Sequence, residues 1–465
     1  MVFSSLVFLF TYLPVVLLVY YISPPKWRNW VLFIVNMFFY GWGEPVYLFL
    51  MLISIFIDYL LGMGIEKYRE KRYIARNLLI VSIIWNIGLL FFFKYFDYTL
   101  QLIQKVGLAK GISPLGLALP IGISFYTFQK LSYTIDVYRG ESRGQKNFIE
   151  FSVFVTLFPQ LIAGPILQYK DLADQLKTRI LSLEKMRTGI RIFTVGLCKK
   201  VLLANSIGKL WDYYRVMEVE QLSVLGAWLG IIAFCFQIYF DFSGYSDMAI
   251  GLGKMLGFDF TINFEYPYIS KSVTEFWRRW HITLSSWFRD YVYIPLGGNR
   301  KGKGRWMLNI LIVWAATGIW HGAEFNFLLW GLYYALLLMI EKIWLLQRLE
   351  RTPLVIRHIY ALFFIALGWA IFAIPDATAG MGYLGVLFGM GQSLIQDGDI
   401  FQIMNYALLF AVLVIASVPL GKRVFHNLPD NIRNVIETVL IICGLCLSTA
   451  YLVDSTYNPF LYFRF

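Results

Sequence analysis

Residues 222–247 of this chain, LSVLGAWLGIIAFCFQIYFDFSGYSD, decide its fold class. Residues 222–240 carry no charged side chain and are long enough to cross the ~30 Å hydrocarbon layer of a bilayer as one helix. The run then passes into a polar cluster that contains Asp241, Ser243 and Asp247. The stretch therefore predicts a membrane-spanning helix with ionisable side chains at its end.

Apolar runs of similar length recur along the whole chain. Of its 465 residues, 58% are hydrophobic and 15% are charged, whereas soluble domains are about 45–50% apolar and about 25% charged. The clearest runs are residues 3–22, 44–65, 77–93, 222–240, 325–340, 358–374, 403–419 and 435–453. Weaker or interrupted runs are residues 29–42, 115–137, 148–166, 189–207 and 306–320. We predict an all-α polytopic membrane protein with about 11–12 transmembrane or re-entrant helices.

Basic residues are in excess, with 41 Lys and Arg against 29 Asp and Glu and a net charge of +12. Because cytoplasmic loops of membrane proteins are rich in Lys and Arg, we expect the basic loops to lie in the cytoplasm and both ends of the chain outside. These loops are Lys26/Arg28, residues 67–76, 170–191, 300–305 and 348–357, and Lys422/Arg423. No segment is typical of a nucleic-acid-binding module.

Residues 251–305 differ from the rest of the chain. They combine aromatic and charged side chains, and their apolar runs are too short to span a bilayer. Trp277 and the neighbouring Trp and Tyr residues are typical of the membrane interface, so we expect short interfacial helices that form a cytoplasmic funnel. Ser272 and Glu275 have the spacing of a capping box, which predicts a helix that carries residues 277–286.

Histidines inside apolar segments are unfavourable and tend to mark function. Of the four histidines, His321 lies deepest, between LIVWAATGIW and GAEFNFLLWGLYY. Gly318 and Gly322 flank it, which would allow a helix break or the close approach of a second backbone. His281, in EFWRRWH, would share a helix face with Trp277. Packing alone could explain His321, and an anchoring role at the interface could explain His281.

Asp241 and Asp247 stand at the end of a long apolar run, where an unpaired charge is unfavourable. Together with Ser243 they could orient a histidine, bind a cation or hold helices together, and their spacing does not choose among these roles. Proline and glycine breaks occur in LPIGISFYTFQ, residues 119–129, and in FPQLIAGP, residues 158–165. Broken helices of this kind line cavities in enzymes and in transporters alike.

These segments, in this order, resemble the membrane-bound O-acyltransferase superfamily, and within it the alginate O-acetylation membrane protein family. The resemblance rests on LPIGISFYTFQ, FPQLIAGP, YFDFSGYSDMAIGLG, EFWRRWHITLS, LGGNRKG and GIWHG, and it extends over the whole chain. D-alanyl transferases of the superfamily are similar around FWRRWH, and other relatives acetylate peptidoglycan or cellulose. The resemblance implies one acyltransferase domain over residues 1–465, with helices around a central tunnel, and it leaves the polymer open.

The resemblance also implies roles for particular residues. The family's catalytic histidine corresponds to His321 in WHG, and its second characteristic histidine corresponds to His281 in RWH. Residues 251–305 then form the funnel segment, and residues 456–465 form an extracytoplasmic tail. FLYFRF, residues 460–465, resembles the F-x-Y-x-x-F ending of the accessory protein of D-alanylation, whose tyrosine is thought to carry the acyl group. Tyr462 would then be an acyl relay, although an aromatic interfacial anchor would have the same composition.

Acetyl-CoA, or another acyl thioester, is the donor substrate that the resemblance implies, with no resident cofactor and no metal. The donor would enter the funnel beside Trp277. Its phosphates would be held by basic residues of the funnel, namely Lys271, Arg278, Arg279 or Arg289. An imidazole with an ordinary pKa of about 6.5 can take the proton of an attacking hydroxyl. This role falls to His321, with His281 or a carboxylate of residues 241–247 orienting the groups around it.

The expected product is an O-acetylated polysaccharide such as alginate, outside the inner membrane of a bacterium. An extracytoplasmic acetyltransferase partner would move the acetyl group from Tyr462 to the sugar. The alternatives that remain are a transporter or channel for acyl groups or ions, a scaffold that recruits the outer enzyme, and a transferase directed to D-alanine or peptidoglycan.

Overall fold

The computed structural model describes residues 1–109, 111–391 and 393–454, and all regular structure in these ranges is helical. The α-helices are α1 Leu13–Ile22, α2 Arg28–Gly41, α3 Pro45–Lys67, α4 Arg72–Lys94, α5 Phe96–Lys105, α6 Ile123–Arg139, α7 Phe148–Thr156, α8 Phe158–Leu161, α9 Tyr169–Lys177, α10 Leu183–Cys198, α11 Asn205–Arg215, α12 Val224–Met255, α13 Val273–Arg279, α14 Ile282–Phe288, α15 Lys303–His321, α16 Phe325–Ile340, α17 Leu346–Leu349, α18 Leu354–Ala373, α19 Ala377–Gly385, α20 Asp397–Ala416, α21 Leu420–His426 and α22 Asp430–Asp454. Short π-helical and 3₁₀ turns connect or extend several of them.

Within the described ranges, 7 helices are long and apolar enough to cross a membrane. They are Pro45–Lys67, Arg72–Lys94, Val224–Met255, Phe325–Leu349, Leu354–Ala373, Asp397–Ala416 and Asp430–Asp454. Each overlaps one of the clearest runs of the sequence, and the remaining run, residues 3–22, forms the shorter apolar helix Phe8–Ile22. The prediction of an all-helical protein with several membrane-spanning helices is confirmed for the described residues.

Helix α12 is longer than the apolar run that predicts it. It continues without a break through the polar cluster and ends at Met255 after 32 residues. The two carboxylates of the cluster are neutralised by consecutive lysines of the π-helical turn Lys199–Ala204. Lys200 Nζ lies 2.5 Å from Asp241 Oδ1, and Lys199 Nζ donates to Asp247 Oδ2 at 2.7 Å. Because each carboxylate has a cation beside it, the helix can carry both through an apolar environment.

The chain divides into two compact units, one of residues Met1–Phe193 with Met248–Thr261, the other of Thr194–Asp247 with the residues from Ile262 onward. A fully buried ion pair lies in the first unit, where Lys130 Nζ of α6 is 3.3 Å from Asp58 Oδ2 of α3. Ser82 of α4 donates to Asp58 at 2.6 Å, and Asn86 donates to both oxygens of that carboxylate at 2.8 and 2.9 Å. Lys130 also donates to Ser54. This network therefore joins three helices through hydrogen-bonded charges.

In the second unit, α15 and α16 pack with their backbones in close contact. A Cβ atom on Gly331 would lie 2.3 Å from the carbonyl oxygen of Trp314, and one on Gly318 would lie 2.3 Å from that of Phe327. Only glycine permits this approach. Helix α15 then ends at His321, with Gly322 in extended conformation as its C-cap. Both expectations for the glycines that flank His321, a close approach and a helix break, are confirmed.

The contribution of the Asp58–Lys130 ion pair to the free energy of unfolding can be tested by substitution. Lys130→Met leaves a buried carboxylate without its cation, so we expect the free energy of unfolding to fall by about 3–5 kcal/mol. Denaturant unfolding of the purified protein in detergent measures this loss. The double variant Asp58→Asn/Lys130→Met should lose less than the sum of its single variants, because the pair is coupled.

The matched control is Lys170→Met, since Lys170 forms a partly exposed ion pair with Glu141 at 2.8 Å. Its loss should stay below about 1 kcal/mol. Equal losses for Lys130→Met and Lys170→Met would contradict the proposed importance of the buried network.

Candidate active site

The segment that carries the RWH motif folds as two short helices and not as one. Helix α13 has 7 residues and ends at Arg279, and α14 has 7 residues and begins at Ile282. Between them, His281 has φ 45° and ψ 54°, a left-handed conformation that ends a regular helix. The predicted helix through residues 277–286 is therefore wrong, and Trp277 and His281 are not neighbours on one helix face. The expectation of short helices in residues 251–305 is confirmed.

Helix α13 is held at its N-terminus by side chains that accept its free N–H groups. Ser272 Oγ accepts from Glu275 N at 3.0 Å, which is half of the predicted capping box. The carboxylate of Glu341, fully buried, accepts from Val273 N and Thr274 N at 2.7 Å each and from the Thr274 hydroxyl at 2.5 Å. A carboxylate at a helix N-terminus is favoured by the helix dipole. Glu341 therefore fixes the start of the segment that leads to His281.

His281 is 2% exposed and lies against Phe242 at 4.7 Å between ring centroids. Its Nδ1 lies 3.0 Å from Oδ1 of Asn263, an oxygen that also accepts from the backbone and hydroxyl of Thr283. The imidazole is outside the candidate membrane spans. Burial holds its pKa well below the usual range, because the charged form would lose its hydration, and the nearby His321 lowers it further. His281 is therefore a neutral imidazole at pH 7.

His321 is the last residue of α15 and is only partly buried. Its Nδ1 donates to the carbonyl of Thr317 at 2.8 Å. Trp320 lies next to both histidines, 4.8 Å from the His321 ring and 6.3 Å from the His281 ring, measured between centroids. The structure thus brings the histidines of the RWH and WHG motifs into one neighbourhood, although 39 residues separate them in sequence.

An aromatic cluster surrounds His321. Trp330 lies 5.0 Å and Phe372 5.6 Å from the His321 ring, and Trp277 lies 5.5 Å from Trp330. The indole nitrogens of Trp277 and Trp330 are buried and have no hydrogen-bond partner among the described residues. A buried N–H group without a partner costs about 1–3 kcal/mol. Trp330 contacts His321 directly and Trp277 packs on Trp330, so both donors are suited to a ligand that brings its own acceptor.

The predicted phosphate-binding cations differ in how far they are already engaged. Arg279 forms a 3.0 Å ion pair with Glu275 and donates to the carbonyl of Glu265, and Arg289 forms a 2.8 Å ion pair with Asp290. Arg278 is exposed and makes no ion pair with the described residues. Of the three predicted arginines, Arg278 is the most available for an anionic ligand.

The predicted polar residues of α12 have different surroundings. Asp241 and Asp247 have the lysine partners described above, so the cation beside each is supplied by the protein itself. Ser243 is fully buried, and its hydroxyl has no hydrogen-bond partner among the described residues. Tyr462 lies outside the described residues.

Several residues around the site are absent from the sequence-based prediction. Glu341 follows directly on the predicted span of residues 325–340, and Lys199 and Lys200 lie within the weak run of residues 189–207. Charges inside apolar runs are unfavourable, and this signal could have identified all three. Asn263, in FTINFEYPY, carries no such signal, because only the folded chain brings it to His281.

Comparison with known proteins agrees with this architecture. Residues 30–381 match the membrane-bound O-acyltransferase family. The chain therefore belongs to this family, and it is a multi-pass membrane O-acyltransferase.

Similarity to individual proteins extends this assignment over the whole chain. The sequence is 37% identical to the probable alginate O-acetylase AlgI of Pseudomonas putida, over 100% of both chains. It is 39% identical to the probable alginate O-acetylase AlgI of Pseudomonas aeruginosa, over 92% of this chain and 83% of the relative. It is 31% identical to the peptidoglycan O-acetyltransferase of Helicobacter pylori, over 100% of this chain and 98% of the relative. The family predicted from the motifs is confirmed.

The capping role of Glu341 can be tested by Glu341→Gln. The amide keeps one acceptor oxygen but replaces the other with an NH₂ group, so a backbone N–H of α13 loses its partner. We expect the free energy of unfolding to fall by about 1–3 kcal/mol, measured by denaturant unfolding in detergent. Glu350→Gln, an exposed position near the end of the same span, should change it by less than about 0.5 kcal/mol. If both variants are equally stable, Glu341 does not hold α13.

Proposed function

We propose that this enzyme takes an acetyl group from a cytoplasmic thioester, acetyl-CoA, for O-acetylation of a polysaccharide such as alginate outside the bacterial cytoplasmic membrane. The observation that carries the proposal is the meeting of His281 and His321 beside Trp320. The full-length likeness to probable alginate O-acetylases supports the choice of acetyl group and polymer.

His321 is the general base of the proposed reaction. Its Nδ1–H is held by the Thr317 carbonyl, so the lone pair of a neutral ring lies on Nε2. Nε2 takes the proton of an attacking hydroxyl while the hydroxyl oxygen forms a bond to the thioester carbonyl carbon. The C–S bond then breaks, and the thiolate leaves with the proton that His321 returns. General-base catalysis of this kind contributes about 10²–10⁴-fold to the rate.

The carbonyl oxygen becomes an oxyanion in the tetrahedral intermediate and needs hydrogen-bond donors. The buried indole N–H groups of Trp277 and Trp330 belong to the aromatic cluster around His321 and have no acceptor among the described residues. We assign the oxyanion to them. This assignment gives the two unsatisfied indoles a ligand and gives Trp277 its role in substrate binding.

Arg278 is the proposed contact for the phosphates of the donor, because it is exposed and one helix contains both Arg278 and Trp277. The funnel of residues 251–305 would admit the donor from the cytoplasm, and a tunnel between the helices would lead the acyl group toward the outside. Arg279 and Arg289 would contribute after exchange of their carboxylate partners.

The acceptor in this scheme is Tyr462, whose O-acyl ester would pass the acetyl group to a separate extracytoplasmic acetyltransferase. FLYFRF at residues 460–465 supports this step through its likeness to the acyl-carrying ending of the D-alanylation system. The peptidoglycan O-acetyltransferase of Helicobacter pylori keeps peptidoglycan open as the alternative polymer. A transporter of acyl groups is the weaker alternative, because it gives the paired histidines no function.

The role of His321 is tested with labelled acetyl-CoA and the purified protein in detergent. We expect thioester cleavage by the wild type and a fall of about 10²–10⁴-fold for His321→Gln, because the base is lost. His358→Gln is the control, since His358 contacts the Ser270 carbonyl at 3.1 Å outside the aromatic cluster, and it should retain most of the activity. Cleavage by His321→Gln at the wild-type rate would exclude the base. A wild type that moves the label across vesicles without cleavage would favour the transporter.

The relay is tested in cells that make the polymer. Tyr462→Phe removes the only oxygen of that side chain, so acetyl groups on the polymer should fall to background while purified protein still binds acetyl-CoA. Tyr457→Phe changes a tyrosine of the same tail and should leave polymer acetylation intact. Normal acetylation with Tyr462→Phe would rule out the relay.

A further inference from the structure

The oxygen and nitrogen of the Asn263 side-chain amide can be told apart by their partners. One amide atom faces the backbone N–H of Thr283 at 3.3 Å and the Thr283 hydroxyl at 2.9 Å. A backbone N–H needs an acceptor, and an amide NH₂ group cannot accept. The atom that faces Thr283 is therefore Oδ1, and the same Oδ1 lies 3.0 Å from His281 Nδ1.

The backbone also holds Asn263 beside the turn that carries His281. Ile282 N donates to the carbonyl of Asn263 at 2.9 Å, and Glu265 N donates to the carbonyl of Arg279 at 2.9 Å. These bonds lie on either side of His281 along the chain. Asn263, 1% exposed, is therefore a fixed acceptor that cannot turn away from the imidazole.

Because Oδ1 can only accept, His281 Nδ1 must carry a proton. A neutral imidazole has one N–H group, so its other nitrogen, Nε2, is the acceptor. His281 Nε2 is buried and has no hydrogen-bond partner among the described residues. The low pKa of the ring, caused first by burial and second by His321, agrees with a neutral side chain. The basic nitrogen thus lies in the active-site neighbourhood without a donor from the described residues.

We propose that Asn263 is a positioning residue that locks His281 in the Nδ1–H tautomer, so that Nε2 receives a hydrogen-bond donor of a substrate. The substrate group that binds Nε2 is a hydroxyl or an amide N–H, because the thioester carbonyl has no hydrogen to donate. This inference rests on the proposed acyl transfer only for the identity of the substrate. The tautomer follows from the geometry alone.

This assignment separates the hydrogen-bond acceptors of the site from its donors. His321 is held in the same way, with Nδ1 donating to the Thr317 carbonyl. Both histidines then offer Nε2 as an acceptor, so neither neutral ring can donate to the carbonyl oxygen. Donors to that oxygen must come from other groups. The indole N–H groups of Trp277 and Trp330 are buried donors that no described residue accepts from.

The tautomer can be observed directly by ¹⁵N NMR of the full-length protein labelled at its four histidines. His281→Gln assigns the signals of His281 by their disappearance. We expect wild-type His281 to give the pattern of a neutral ring with the proton on Nδ1 at pH 7. Asn263→Leu should give a mixture of tautomers, because the fixed acceptor is gone. A proton on Nε2 in the wild type would overturn the proposal, even if no acyl transfer were detected.

The pH dependence of kcat/KM distinguishes positioning from packing. Asn263→Asp places a carboxylate against Nδ1–H, which stabilises the imidazolium and raises the pKa of His281. Protonation of Nε2 then blocks the acceptor at a higher pH, so the acid limb of the profile should move to higher pH. Asn263→Leu should lower kcat by about 10-fold or more, without a matching change in KM for acetyl-CoA.

Asn309 provides the matched control. It is fully buried in the same unit, and its amide donates to the carbonyls of Gly298 at 3.0 Å and Leu296 at 3.4 Å, with no histidine among its described partners. Asn309→Asp and Asn309→Leu should lower thermal stability but leave the acid limb and the histidine signals unchanged. If the Asn263 variants behave like the Asn309 variants in both readouts, Asn263 is structural only and the proposal fails.

Replacement of His281 itself tests which of its ring nitrogens accepts the hydrogen bond from the substrate. The amide of Gln can place an oxygen near the position of Nε2, whereas the amide of Asn reaches only the position of Nδ1. We expect His281→Gln to retain at least 10-fold more activity than His281→Asn. The reverse order would indicate that Nδ1 is the functional atom and would contradict the proposal.

Discussion

A buried charge in this protein is stabilised by a partner within the chain, because the hydrocarbon of a membrane offers none. The lysines show how this constraint shapes the helices. Lys130 is fully buried against Asp58, and Lys200 is almost fully buried against Asp241. Each pair joins helices or turns that are distant in sequence, so neutralising a charge also fixes the position of a helix.

The same constraint builds the segment that carries His281. Helix α13 is too short to be stable alone, and its free N–H groups are taken by Glu341 at one end while Asn263 fixes the turn at the other. His281 Nε2 and the indole nitrogens of Trp277 and Trp330 have no partner among the described residues. Within the candidate site, these are the atoms that a bound substrate would satisfy.

The spans were predictable because about 20 consecutive apolar residues have few alternatives to a membrane helix. The sequence left two polar segments for the structure to define. Helix α12 continues through Asp241 and Asp247 because lysines 41 and 48 residues away neutralise them. The helix predicted over residues 277–286 breaks at His281, which has a left-handed backbone conformation and whose imidazole contacts Asn263. Both outcomes depend on partners that are remote in sequence.

For the candidate site, too, local features were predictable and contacts between distant residues were not. By itself the sequence determined the class of the protein, its family and the two motif histidines, because hydrophobic length and short motifs are local properties of the chain. Only the tertiary structure decided that His281 and His321 share Trp320, that Glu341 caps α13 and that Asn263 holds His281 Nδ1. A hydrogen bond requires two atoms about 3 Å apart, and for residues far apart in sequence only the packed helices set that distance.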